Sequence, residues 1–108
     1  RFSAFFQTEL DLIFRRLGIR TVILTGTTTP NCIRTSCYDG LSLDYNILII
    51  EDCCSSNTEE IQRVNMEDMA RVGAVITTSE EFLADDFTVY DYANEIQKKV
   101  QKDETAPE

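Results

Sequence analysis

Short apolar runs alternate with segments of helical periodicity along this chain, and that alternation limits the folds open to it. The apolar runs are rich in β-branched residues and span residues 21–25, 46–51 and 74–78. Apolar residues recur at helical spacing in the segments at about 8–17, 30–43, 58–72 and 89–102. Alternation of this kind predicts βαβ crossovers, and therefore a parallel sheet with helices on both faces. Three strands make a small sheet with two open edges, so we expect further strands outside this chain.

Glycine, threonine and proline mark the ends of the predicted helices. Gly18 stands where a left-handed residue ends the first helix, and Ile19 follows it as a hydrophobic contact. Thr29-Pro30 is a helix start signal, with threonine as the N-cap and proline at the first helical position. The pair therefore predicts that Cys32 lies in the first turn of the second helix.

The other boundaries are predicted from local composition. Tyr45-Asn46 is expected to form the turn before the second strand, and residues 52–57 a polar loop after it. Ser79 is expected to open a short helical turn. The inward face of the third helix is predicted to consist of Ile61, Met66, Met69 and Ala70.

Composition excludes several classes of function. The 10 basic and 19 acidic side chains give a formal charge of −9, which disfavours nucleic acid and anionic membranes as partners. Histidine is absent from the sequence, so this chain supplies no imidazole base, no Ser-His-Asp triad and no histidine-ligated metal. The longest apolar run, residues 47–50, is far shorter than the roughly 20 residues of a transmembrane helix. Catalysis by this chain would depend on cysteine, carboxylate, lysine or backbone dipoles.

The four cysteines suggest reduced thiols. They are Cys32, Cys37, Cys53 and Cys54, and they form neither a CxxC pair nor a zinc-ligand spacing. Free thiols of this kind are typical of reducing compartments, so we expect the protein to be cytoplasmic and to carry no metal on these residues.

Cys32 is the candidate with the most chemistry available to it. Ligands of open parallel α/β sheets bind beyond the carboxyl ends of the strands, here near residues 26–29, 52–54 and 77–79. A thiol in the first turn of a helix meets the positive end of the helix dipole and unpaired N–H groups, which favour the thiolate. The same N–H groups can stabilise an oxyanion, so Cys32 has the parts needed for acyl transfer. The alternative is that Cys32 is a small packing residue.

The remaining candidates have structural alternatives too. Cys37 lies well inside the second helix on a face expected to be buried, and Cys53 and Cys54 lie at a strand end without an adjacent base. Asp52 is either a catalytic carboxylate or a cap for the loop after it, and the cap is favoured. Phe5 and Phe6 belong either to the core or to the apolar wall of a substrate pocket.

The stretch around Cys32 resembles the isochorismatase-like cysteine hydrolases. Their signature is a hydrophobic strand followed by G-x-x-T-x-x-C-V-x-x-T-A, and residues 21–36 read TVILTGTTTPNCIRTS. Residues 3–10, SAFFQTEL, are similar to the family's S-A-F-x-x-T-x-L. Residues 45–53 resemble its G-Y-x-V-x-V-x-x-D-A strand, and residues 73–77 its G-A-x-V/I-x-T strand. Together these matches cover about residues 1–82.

The resemblance implies both a fold and a mechanism. The fold is a three-layer α/β sandwich with a Rossmann-type parallel sheet, and residues 1–108 would be the C-terminal part of one such domain, with 103–108 as a flexible tail. The mechanism uses an Asp-Lys-Cys triad that cleaves an amide, carbamoyl or related bond through a thioester. Cys32 takes the place of the nucleophile. A cis peptide at Thr27-Thr28 would shape an oxyanion hole, with the Thr28 and Cys32 N–H groups as donors.

The resemblance also implies what is missing from these 108 residues. The family's Asp belongs to an earlier strand and its Lys lies just before the S-A-F segment, so Arg1 would follow that lysine directly. We therefore expect this chain alone to be inactive. No cofactor is expected, and the alternative is a divalent metal bound by the missing N-terminal part. The expected partners are a small amide-type substrate bound near Phe5 and Phe6, that N-terminal part, and further copies in a homo-oligomer. A non-catalytic α/β domain and a redox-sensing cysteine protein are the alternatives.

Overall fold

The order of helices and strands follows the alternation in the sequence. The structure is a computed structural model that describes residues 2–84, so the predicted helix at 89–102 and the tail at 103–108 lie outside the described residues. Its elements are α1 (Leu10–Leu17), β1 (Thr21–Thr27), a π-helical turn (Thr29–Ile33), α2 (Arg34–Ser42), β2 (Asn46–Ser55), α3 (Glu59–Arg71), β3 (Val75–Thr77) and α4 (Ser79–Ala84).

The three strands form one parallel sheet in the order β1-β2-β3. Thr21 lies opposite Asn46, and Ile50 lies opposite Thr77, so the carboxyl ends of all three strands share one edge. Crossovers between neighbouring parallel strands are right-handed, which places α2 and α3 on the same face of the sheet. The predicted α/β fold class with a parallel sheet is confirmed.

The second strand is longer than its sequence predicts. Leu24 pairs with Ile49 but Gly26 pairs with Cys54, so residues 50–53 of β2 all lie opposite Thr25. This bulge lets β2 continue to Ser55 through the segment predicted to be a polar loop. Inter-strand hydrogen bonds to β1 therefore override a local composition that favours a loop.

Apolar side chains of β1, β2, α2 and α3 form the core. Ile47 and Ile49 of β2 are almost fully buried, as are Cys37 of α2 and Met69 of α3. A side chain at Gly40 would lie 2.6 Å from Ile47 Cδ1, so the absence of a Cβ there allows α2 to approach the sheet closely.

The end of α1 follows the prediction from the sequence, whereas the turn before β2 does not. Gly18 ends α1 at a φ of 73°, and the Ile19 N–H donates to the Phe14 carbonyl at 2.9 Å, as predicted. The predicted turn at Tyr45-Asn46 is wrong. The reversal lies at Asp44, whose φ is 68°, and Tyr45 is buried in the core. Stacking of Tyr45 on Phe5, with ring centroids 5.6 Å apart, stabilises the tyrosine in the core.

A carboxylate of α3 joins α3 to α2. The Tyr38 hydroxyl donates to Asp68 at 2.7 Å, and the Arg34 guanidinium lies 2.6 Å from the same carboxylate. The hydrogen bond from Tyr38, followed by the contacts with Arg71 and Arg34, holds the pKa of Asp68 below its usual range. These contacts fix α2, the helix that follows Cys32, against α3.

None of the helices within residues 2–84 is long and apolar enough to cross a lipid bilayer.

Candidate active site

Cys32 lies in a π-helical turn directly after β1. The Ile33 N–H donates to the Thr28 carbonyl at 3.3 Å, which closes a ring one residue wider than that of an α-helix. The Asn31 N–H donates to the same carbonyl at 3.1 Å. Turns of this kind recur at functional sites, because they displace side chains from regular helical positions. The predicted location of Cys32 in the first helical turn is confirmed, although that turn is not α-helical.

The residue that precedes the turn is Thr28 and not Thr29, so the predicted N-cap is wrong by one position. Thr28 has an extended backbone with φ −104° and ψ 148°, whereas Thr29 is already the first residue of the turn. The Thr29 side chain is completely buried, and its hydroxyl donates across the fold to Gln62, whereas an N-cap hydroxyl would accept from a backbone N–H of its own helix. A long-range hydrogen bond therefore replaces the local cap.

The backbone before Cys32 has two unusual conformations. Gly26 has a φ of 119°, which a residue with a side chain adopts only with strain. The peptide bond between Thr27 and Thr28 is cis, at the position that the family resemblance implies. The chain thus leaves β1 and enters the π-turn within three residues.

The four thiols differ in exposure. All four are free, Cys32 is half-buried and Cys53 is exposed. Cys37 is fully buried, and burial raises the pKa of its thiol to about 11. Burial also raises the pKa of the Cys54 thiol, whose sulfur lies 3.9 Å from the Leu24 carbonyl oxygen. Only Cys32 and Cys53 are therefore accessible to a reagent or a substrate in the folded chain.

Asp52 accepts hydrogen bonds from the start of α4. Its carboxylate receives the Ser79 N–H at 2.8 Å and also the Ser79 hydroxyl. These bonds hold the pKa of Asp52 below its usual range. The contacts agree with a capping role, and the residue capped is Ser79, 27 positions along the chain, rather than the adjoining loop.

We expect the Asp52 contacts to make stability depend on pH. Because the pKa is lowered by folding, the stabilisation is complete above the unfolded pKa of about 4 and is lost as the pH falls through the folded value. In the protein at its native length, the urea concentration at the midpoint of unfolding should fall less between pH 5 and pH 2.5 for Asp52→Asn than for the parent protein. Asp44→Asn removes an exposed carboxylate elsewhere and is the matched control. Parallel curves for Asp52→Asn and the parent protein would contradict this assignment.

The two phenylalanines proposed for substrate binding differ in exposure. Phe5 is 6% exposed and packs on Tyr45 and Phe14, near the amino end of β2, whereas Cys32 lies at the carboxyl edge. Phe5 is therefore a core residue. Phe6 is 55% exposed. Of the two side chains, only that of Phe5 enters the core. The proposed role of the two phenylalanines in substrate binding stays a prediction.

Gln62 has a central place in this region that we did not predict from the sequence pattern. The inward face of α3 carries Gln62, Met66 and Met69, whereas Ile61 and Ala70, which were predicted to face inward, are exposed. The Gln62 amide contacts Thr29, Ser56 and two carbonyls of β2. The signal was present in the spacing, because a glutamine four residues before Met66 and seven before Met69 shares their helical face.

A cavity of about 550 Å³ lies between the end of β2 and α3. Cys54, Gln62 and Met66 contribute to its wall, together with the acidic residues Glu51, Asp52, Glu59 and Glu67. Cys32 does not line this cavity. Among residues 2–84, no three side chains of cysteine, aspartate, glutamate or histidine come together as a metal site.

Known proteins match this chain over most of its length. A family model described as "Isochorismatase domain" matches residues 1–81. A probable inactive nicotinamidase of Arabidopsis thaliana is 39% identical over 83 residues, which make up 76% of this chain and 42% of the plant protein. A maleamate amidohydrolase of Pseudomonas putida is 30% identical over 76 residues, covering 69% of this chain and 36% of that protein.

Solved structures show the same relationship. An isochorismatase family protein from Desulfovibrio vulgaris superposes with a TM-score of 0.74 at 39% identity, over 79% of this chain and 44% of that chain. A pyrazinamidase/nicotinamidase from Streptococcus mutans superposes with a TM-score of 0.68 at 30% identity, over 70% of this chain and 42% of that chain. The chain spans less than half the length of these relatives.

Proposed function

The chain belongs to the isochorismatase family, and we propose that the protein containing it is a cysteine hydrolase that cleaves a small amide-type C–N bond. The observation that carries the proposal is the position of Cys32, half-buried in the π-turn at the carboxyl edge of the sheet, where ligands of such folds bind. The maleamate amidohydrolase and the pyrazinamidase/nicotinamidase among the relatives support an amide as the substrate class.

The proposed reaction proceeds in two steps. The Cys32 thiolate attacks the substrate carbonyl carbon, the carbonyl oxygen takes the negative charge, and the N–H groups of Thr28 and Cys32 stabilise it. The C–N bond then breaks, the leaving amine takes the proton that the base removed from the Cys32 thiol, and a thioester to Cys32 remains. Attack by water releases the acid and regenerates the thiol. This chemistry needs no redox partner.

The base and the cation of this reaction are proposed to come from a preceding segment of the same protein. In the described part of the chain, β1 pairs with β2 along one edge only. On α1, the apolar side chains of Leu12 and Leu17 are 60% and 68% exposed. A further parallel strand along β1 would cover the open edge, and helices packed with it would bury these side chains. That segment would bring the Asp and Lys that the family resemblance implies.

A non-catalytic role is the second candidate. The observation in its favour is the plant relative at 39% identity, whose name describes a probable inactive nicotinamidase. Under this alternative, Cys32 is a packing residue of the π-turn. A cytoplasmic location and a homo-oligomeric state stay predictions in either case.

Turnover of simple amides distinguishes the two candidates. We expect the protein at its native length to release ammonia from a primary amide, and nicotinamide and maleamate are the first two to try. Mass spectrometry of the acid-quenched reaction should find the acyl group on the peptide that contains Cys32. If no amide in a broader panel is hydrolysed, and Cys32 reacts with iodoacetamide no faster than exposed Cys53, the non-catalytic role is supported instead.

A further inference from the structure

The side-chain amide of Gln62 connects three elements at the carboxyl edge of the sheet. Its Nε2 donates to the carbonyl oxygens of Glu51 and Cys54 at 3.1 and 3.2 Å. Its Oε1 accepts from the hydroxyls of Thr29 and Ser56 at 2.5 and 3.2 Å. The amide of one residue on α3 thus holds both the bulged end of β2 and the first residue of the π-turn.

The chemistry of these partners fixes the orientation of the amide. The two carbonyls of β2 only accept hydrogen bonds, so the NH₂ group of Gln62 has to face them. Its oxygen is then the group that faces Thr29, and the Thr29 hydroxyl has to donate. Thr29 is 0% exposed, so water cannot replace the Gln62 oxygen as the acceptor of its hydroxyl. The Ser55 carbonyl, at 3.3 Å, is a longer second acceptor.

The position of Thr29 determines the position of Cys32. Thr29 begins the π-turn and Cys32 lies three residues later, in the same turn. The preceding carbonyl, that of Thr28, accepts from the N–H groups of both Asn31 and Ile33. A displacement of Thr29 therefore moves the backbone that carries both the thiol and the N–H groups around it.

We propose that Gln62 is a positioning residue for Cys32, and that it acts through Thr29 without touching the substrate. The proposal rests on the proposed function, because it assumes that Cys32 is the nucleophile. It adds that a residue of α3, 30 positions along the chain, sets the geometry of the thiol.

Two substitutions test this role at the protein's native length. Gln62→Met keeps the length of the side chain but removes both the donors and the acceptor. We expect kcat on the amide that the parent protein hydrolyses to fall about 10-fold or more, with KM changed less than about 3-fold. The rate at which iodoacetamide labels Cys32 should fall to a similar extent. Arg63→Met, on the next residue of α3, removes only an exposed contact with Glu67 and should leave both rates unchanged.

Gln62→His provides a pH-dependent version of the same test. Neutral imidazole has one donor and one acceptor, so it can replace half of the amide's contacts, whereas imidazolium has no acceptor for Thr29. Its ionisation lies near pH 6.5. The ratio of kcat for Gln62→His to kcat for the parent protein should therefore fall as the pH drops from about 7.5 to 5.5. A general loss of packing would lower the activity without this pH dependence.

The outcomes separate this inference from the proposed function. If Cys32→Ser retains turnover, Cys32 is not the nucleophile and the proposed function fails. If Cys32→Ser is inactive but Gln62→Met keeps the parent kcat and labelling rate, the positioning role is wrong and the proposed function stands. If Gln62→Met does not fold, Gln62→His decides, and a constant activity ratio across the pH range overturns the inference.

Discussion

Replacement of Cys32 by serine is expected to lower kcat of the native-length protein by roughly three orders of magnitude or more. A serine hydroxyl ionises far less readily than a thiol, so the variant has almost no ionised nucleophile at neutral pH. The helix terminus and its N–H groups remain in the variant, so substrate binding should change much less than turnover. The measurement is steady-state hydrolysis of the best amide from the panel.

Cys53→Ser is the matched control for this substitution. Cys53 is the other accessible thiol, and it lies on β2 rather than in the π-turn. We expect this variant to retain the parent kcat within about 2-fold. Loss of turnover in Cys53→Ser but not in Cys32→Ser would move the nucleophile to β2 and contradict the proposed mechanism.

A second large effect is expected in the alkylation of the thiols of α2 and the turn before it. Cys37 is 0% exposed and the pKa of its thiol is raised to about 11 from an ordinary value of 9.0, with burial as the main cause. A rise of two pKa units leaves about 100-fold less thiolate near neutral pH than a thiol of ordinary pKa has. Burial further restricts the access of a reagent to the Cys37 sulfur. At pH 7.5 we therefore expect iodoacetamide to label Cys32 at least about 100-fold faster than Cys37.

Peptide mapping after timed labelling measures these rates separately. Buried Cys54 should stay unlabelled with Cys37, and exposed Cys53 should be labelled. In 8 M urea all four thiols should react at similar rates, because the differences depend on the folded structure. Equal labelling of Cys32 and Cys37 in the folded protein would show that α2 opens readily and that burial does not protect its thiol.

The structure follows the prediction from the sequence where local preferences and tertiary contacts agree. Gly18 ends α1 because the left-handed conformation there is open to glycine at little cost, and within residues 2–84 no atom beyond its chain neighbours lies within 4 Å of where a side chain would begin. Cys37 is buried as expected, because its place on α2 faces the sheet. The parallel arrangement of β1, β2 and β3 follows from the connection lengths alone.

Local sequence preferences did not predict the structure at three positions where a distant partner outweighed them. Thr29 has the residue type and the following proline of an N-cap, but its hydroxyl donates to Gln62, 33 positions away. Tyr45 has the neighbours of a turn residue, but its ring stacks on Phe5. The segment after Glu51 has a loop-like composition, but it pairs with β1. In each case the deciding contact joins residues that are far apart in the chain.

Within residues 2–84, the order of helices and strands, the parallel sheet and the place of Cys32 just after β1 are predictable from the amino-acid sequence. These features depend on the period of apolar residues and on the conformational limits of glycine and proline, which act over a few neighbouring positions. The π-helical form of the turn, the bulge in β2 and the contacts of Gln62 depend on the folded chain. Those features arise because buried hydroxyl, carbonyl and amide groups must find partners, and the fold alone determines which of them meet.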